Sequence, residues 1–252
     1  MTRRALLAML ALTGPALGQQ ILFLQAGPAP DSIRVHLESA GKPAPWDDAR
    51  VRTLFILGND TRENRDRGGA DAAGVVLLPA PPPGAAAVGL DLKPAIEEID
   101  ADGLRAFVKD HCEERLPASV KGRVKVLRVQ SCKAILRSGD GGSAPAAAET
   151  TQQAEIALRM DPTRAKVGSD IAFSISIGGE DVEEVRITAT SESTGKIQTI
   201  ESRKEGSGLI HVAATGLWRV EFHRLAPAPA GSGADWSLTS ATLVFQVPEP
   251  KP

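Results

Sequence analysis

The sequence predicts a mainly β protein: two β-sandwich-like domains, the first with one packed helix and the second immunoglobulin-like. Three observations carry that expectation. Apolar and polar residues alternate with a period of two, as in Trp218, Val220 and Phe222 against Arg219, Glu221 and His223, and that period belongs to a strand with one buried face. Short alternating runs recur between Gly- and Pro-bearing turns from Ala154 to Val247, the spacing of a sandwich of about seven strands. A helical period shows clearly once, where Leu104, Phe107, Val108, His111 and Cys112 follow Asp102.

Taken in order, the chain opens with a basic Met1-Thr-Arg-Arg, an apolar run from Ala5 to Leu17, and Gly18. This reads as a signal peptide over residues 1–18. The run is shorter than the ~20 apolar residues a membrane helix needs. The expectation is an exported, soluble, periplasmic protein beginning near Gln19, with no membrane span after cleavage.

The first domain is expected over 19–137. A short apolar strand at 21–25 precedes a half-buried one, in which Ile33, Val35 and Leu37 alternate with Arg34, His36 and Glu38. Further strands are expected at 51–57, 74–78 and 86–92, separated by a Pro-rich loop around Trp46, a polar loop at 59–74 and a Pro turn. The helix is expected over about 102–116, capped by Asp102 and ended before Pro117. Glu97, Glu98 and Asp100 then read as a charge run on or just before it. A basic strand at 122–136 completes the domain. Residues 138–153 are rich in Gly, Ser, Ala and Pro without apolar periodicity, which reads as a linker. The second domain is expected over 154–247, with strands near 155–160, 171–177, 185–190 and 196–202. A final hairpin follows between Gly206 and Val247, then a tail at 248–252.

Composition excludes several functions. With 29 basic and 31 acidic residues the net charge is −2, so no basic surface for nucleic acid is expected. The chain has no Tyr, which disfavours stacking platforms. There is no Gly-x-Ser-x-Gly elbow, no phosphate loop and no paired metalloprotease histidines, so no enzyme is predicted. His111 and Cys112 are helix neighbours about 100° apart and do not face each other as a nucleophile and base would. Cys112 and Cys132 are the only cysteines. In an oxidising compartment they are a possible disulfide, worth about 3 kcal/mol by loop closure.

Metal ligation is the remaining chemistry. His223 shares a strand face with Arg219 and Glu221, and Asp235 lies across the hairpin loop. With His211 and His36 these form the candidate ligand set, since a site needs three or four convergent donors. His111 falls on the apolar helix stripe and is read as a packed or capping residue.

The order of these parts is also familiar. Gly216-Leu217-Trp218-Arg219-Val220 through His223, Ser240-Ala241-Thr242-Leu243-Val244-Phe245-Gln246-Val247, and Ser131-Cys132-Lys133 together resemble a bacterial periplasmic family of unknown function, often labelled the nickel/cobalt-uptake substrate-specific component. The resemblance implies a non-enzymatic accessory or binding component of transition-metal uptake, with Ni²⁺ or Co²⁺ as the ion and a membrane transporter or envelope protein as partner. Members commonly begin the mature chain with His-Asp. Here Gln19 and Gln20 stand in those places, and an amide is a poor transition-metal ligand. The alternative is a structural or interaction module of the envelope with no metal.

Overall fold

The computed structural model describes residues 20–26, 32–39, 42–44, 47–58, 61–64, 76–79, 81 and 83–249, with side chains from residue 47 onward except residue 77. The chain is mainly β. Its first half carries strands β1 (Gln20–Ala26), β2 (Ser32–Ser39), β3 (Lys42–Ala44), β4 (Val51–Gly58), β5 (Thr61–Asn64), β6 (Val76–Pro79), β7 (Gly84–Leu92) and β8 (Ala95–Asp100). Helix α1 (Ala101–His111) and the long strand β9 (Arg123–Ser138) follow. After the short helix α2 (Ala144–Ala147) come β10 (Ala154–Leu158), β11 (Asp170–Ile177), β12 (Glu180–Asp181), β13 (Arg186–Ser191), β14 (Lys196–Glu201) and β15 (Ser207–His211). The last two strands are β16 (Gly216–Pro227) and β17 (Trp236–Val247).

A large sheet runs in the order β14-β13-β16-β17-β9-β7-β4-β5, with β8 added along the first half of β9. A smaller sheet places β10 and β15 on either side of β11. A third joins β1, β2, β3 and β6. The arrangement is sandwich-like. The main core lies between the large sheet and the β10-β11-β15 sheet, where Ile156, Ile171, Phe173, Ile187, Trp218, Val220, Phe222 and Phe245 are all buried. Trp218 stacks on Phe245 at 6.5 Å and donates its indole N–H to Ala214 O.

The opposite face of the large sheet carries two smaller apolar clusters. One sits under α1 and includes Leu104, Val108, Cys112, Val126, Leu225 and Leu238. The other includes Val51, Leu54, Val88, Leu90, Cys132 and Val244. Alternation on β16 and β17 therefore presents one face to the main core and the other to these clusters.

Several expectations change. The boundary at 138–153 lies in the chain but not in the sheets, because β17 pairs in parallel with β9, from Trp236 beside Val126 to Phe245 beside Ile135. The linker is itself held: Pro145, Ala146, Thr150 and Gln152 are buried, and the Gln152 amide donates to Leu90 O and Cys132 O. The helix is shorter than 102–116. Asp100 caps it by accepting from the amides of Asp102 and Gly103 at 3.0 and 3.2 Å, and Cys112 is already extended. Glu97 and Glu98 belong to strand β8, facing Val126 and Lys125. Four residues of the polar 59–74 stretch form β5, paired to β4. Cys112 and Cys132 are not bridged. Each is a buried thiol in a different cluster, one ending α1 and the other in mid-β9. Burial, with Glu114 adding to it, pushes the Cys112 thiol up to about 12.

Candidate metal centre

Between the two outer clusters lies a layer of buried polar side chains. Its register is set by the β16–β17 hairpin, which puts Ser240 opposite His223 and Thr242 opposite Glu221. Opposed residues of an antiparallel pair project from the same face, so all four turn away from Trp218 and Phe222. They are almost wholly inaccessible: His223 is 2% exposed, Ser240 and Thr242 3%, and Glu221 7%.

Helix α1 brings the third donor. Its apolar stripe docks Leu104 and Val108 onto the sheet near Leu225 and Leu238. Phe107 and His111, one turn apart on the helix, are thereby carried over β16. The Phe107 ring lies 4.6 Å from the His111 ring and meets the His223 ring edge-on at 5.0 Å. The two imidazoles are 5.5 Å apart, centroid to centroid. The donor atoms of His111, Glu221 and His223 all lie within 4.8 Å of one another.

The electrostatics leave His223 neutral. Burial pushes its pKa well below the usual histidine value, and His111, Arg128 and Arg219 add to that. Neutral imidazole is the form that binds metal. Its Nδ1 shares a 2.8 Å hydrogen bond with Ser240 Oγ. That contact orients the ring and leaves Nε2 for a ligand. Nε2 of His223 and Oε2 of Glu221 are buried without a hydrogen-bond partner among the described residues, and so is Oγ1 of Thr242. Buried polar atoms in native proteins are nearly always satisfied. Three such atoms side by side on one sheet face are donors that could hold an ion and its ligand water.

The donor chemistry agrees. Two borderline imidazole donors with one harder carboxylate suit Zn²⁺, Ni²⁺, Co²⁺ or Cu²⁺. Donors on one such ion, bound at about 2.1 Å in tetrahedral array, sit about 3.4 Å apart, so a cluster within 4.8 Å needs a closure of at most about 1.4 Å. Half-buried His111 is its most accessible member.

Of the expected residues whose side chains are described, His223 alone joins this cluster. Asp235 is tied elsewhere: its carboxylate accepts from the Lys125 amide at 2.8 Å, and its own amide donates to Lys125 O. It registers β17 against β9 and does not approach His223. His211 lies on β15 in the smaller sheet, exposed and 2.8 Å from Asp170. His36 lies on β2 opposite Phe23, and its side chain is outside the described residues. The members of the cluster that the sequence reading missed are Glu221 and His111. A Glu-x-His pair on one strand face was visible, since period two places both side chains together. His111 was legible as the helical neighbour of Phe107 but not as facing β16, which depends on tertiary docking. A scan against protein-family models and a search of curated proteins find no match for this chain.

Proposed function

We propose that the protein is an exported, non-enzymatic binding component that handles a divalent transition metal of the Ni²⁺/Co²⁺ class. The ion is held by His111, Glu221 and His223. The observation carrying this reading is the convergence of three donor side chains, two of them buried with an atom, Glu221 Oε2 and His223 Nε2, that has no hydrogen-bond partner among the described residues. The enclosed position, with Phe107 over both imidazoles, favours retention of an ion over turnover at it. The apolar start of the chain and the resemblance to a periplasmic uptake family support the location and the accessory role beside a transporter.

The test is titration of chelator-stripped protein lacking residues 1–18 with Ni²⁺, Co²⁺, Cu²⁺ and Zn²⁺, followed by metal analysis after gel filtration. One ion per chain is expected, lost on replacing His223 with Ala or Glu221 with Gln. The reading fails if none of the four binds more tightly than about 100 µM, an affinity of only about 5.5 kcal/mol.

A further inference from the structure

Arg219 lies two residues before Glu221 on the same face of β16. Its Nε approaches two carboxylates, Glu192 Oε1 at 3.2 Å and Glu221 Oε2 at 3.6 Å. Neither contact is a hydrogen bond: Arg219 Nε and Glu221 Oε2 both lack such a partner among the described residues. A buried guanidinium N–H ordinarily takes a carboxylate in a short, directed hydrogen bond. Here it stands between two and fully engages neither. Glu221 is 9% exposed at its side chain, whereas Glu192 is 28% exposed and lies at the rim.

We infer that Arg219 is a built-in competitor for the metal ion: it supplies the positive charge beside Glu221 and yields to the ion by moving onto Glu192. The inference rests on the metal reading and adds what sets the affinity of that site. A divalent ion on Glu221 is repelled by a guanidinium a few ångströms away, and in a buried setting that repulsion is poorly screened. Glu192 offers the displaced guanidinium another carboxylate. The site thereby binds its ion less tightly than its donors alone would, a property suited to passing the ion on. Other charges face the cluster as well. Arg128 lies on β9 with Glu97 at 3.6 Å, but among the described residues the only carboxylate shared between the cluster and a neighbouring cation is Glu221.

The experiment is Co²⁺ titration of the full mature chain and four variants, three single and one double, with affinity read from the d–d absorption band and by competition with a chelator. Arg219→Met is expected to tighten Co²⁺ binding about tenfold. Glu192→Gln is expected to weaken it several-fold, because Arg219 then has no alternative carboxylate. Arg224→Met removes the same charge from the neighbouring position, where the side chain is 42% exposed and pairs with Glu114, and is expected to leave the affinity unchanged. In the Arg219→Met background Glu192→Gln should lose its effect, the non-additivity expected of a residue acting through another. The inference is overturned if Arg219→Met binds no tighter than Arg224→Met, or if Glu192→Gln weakens binding equally with and without Arg219. Should Arg219→Met not fold, Arg219→Lys paired with Glu192→Gln keeps the test, since a Glu192 effect that persists unchanged in Arg219→Lys and in wild type alike counts against a handover by the fork-shaped guanidinium. Wild type that takes up no Co²⁺ overturns the metal reading and this inference together, whereas tight binding unaffected by Arg219→Met overturns this one alone.

Discussion

Two buried polar groups lie on opposite faces of the same sheet, and they differ in one respect. On the main-core face, Lys133 and Glu155 form an ion pair at 2.7 Å, with side chains 4% and 3% exposed. Glu155 also accepts from the Thr150 amide and hydroxyl. On the outer face, Glu221 and His223 are buried to a similar degree, yet each has an oxygen or nitrogen with no hydrogen-bond partner among the described residues. A buried charge that is fully engaged serves the fold. One held in place by its strand but left unengaged is poised for something outside the chain. Degree of burial does not separate the two roles; saturation of the hydrogen bonds does.

The largest expected effect attacks the saturated group. Lys133→Ala should destabilise the protein by about 3–5 kcal/mol, because it strands Glu155 without its partner in the interior. Replacing the pair together, Lys133→Met with Glu155→Leu, should recover most of that loss in urea denaturation. Neither variant should alter metal affinity. If Lys133→Ala abolishes metal binding in protein that is still folded, the two groups are not independent and the contrast between them fails.

The next effect belongs to the unsaturated group. An ion at about one hundred times its dissociation constant should stabilise the protein by about 2.7 kcal/mol. That gain should vanish in Glu221→Gln and His223→Ala and persist in Lys133→Met/Glu155→Leu. Thermal melts with and without metal read it directly. Equal stabilisation of all variants would place the ion elsewhere.

Acid separates the groups by pH window. His223 is held neutral in the fold, with its pKa pushed down chiefly by burial. The unfolded chain takes up a proton below about pH 6.5 while the folded one resists it, so stability falls as pH drops through that value, by at most about 1.4 kcal/mol per pH unit. Glu155 behaves differently. Burial would raise its carboxyl, but Lys133 and Thr150 outweigh that and hold it below the usual value of 4.5. Its contribution is complete above that value and is lost as pH falls through its lower folded value. Chemical denaturation between pH 7 and pH 5 should therefore show a decline that disappears in His223→Gln and remains in Lys133→Met/Glu155→Leu.

Sequence made one side of this contrast far more legible than the other. Alternation in Trp218, Val220 and Phe222 announced the main core, because a period of two is a local property of one strand. The helix after Asp100 was equally local, though its end at His111 was overrun because Leu116 continues the apolar stripe while the backbone has already straightened at Cys112. The parallel β9–β17 pairing was not legible, since it joins segments about a hundred residues apart and no turn chemistry marks it. The same blindness hid the site. Glu221 and His223 were visibly neighbours, but the polar face of a strand normally means water, and only docking of α1 makes it an interior. Asp235 was drawn into the candidate set by nearness in sequence to the hairpin loop, whereas its carboxylate is consumed by the Lys125 amide.

The smallest effect tests saturation itself, at two threonines. Thr150 donates its hydroxyl to Glu155 at 2.8 Å and lies 3.2 Å from Gln152 Oε1. Thr242 is equally buried, and its hydroxyl has no partner among the described residues. Valine matches threonine in shape and removes only the hydroxyl. At Thr150 the change takes a hydrogen bond from an ionised carboxylate and should cost about 1.5–3 kcal/mol. At Thr242 it removes a desolvated hydroxyl and should stabilise the metal-free protein by about 1 kcal/mol. With metal present the sign at Thr242 should reverse, because the hydroxyl then serves the ion or its bound water and its loss weakens binding. Opposite signs at Thr150 and Thr242 without metal, with only Thr242 changing sign on metal addition, would separate fold from site by measurement. A loss of stability at both positions in metal-free protein would mean that the outer layer is as structural as the inner one.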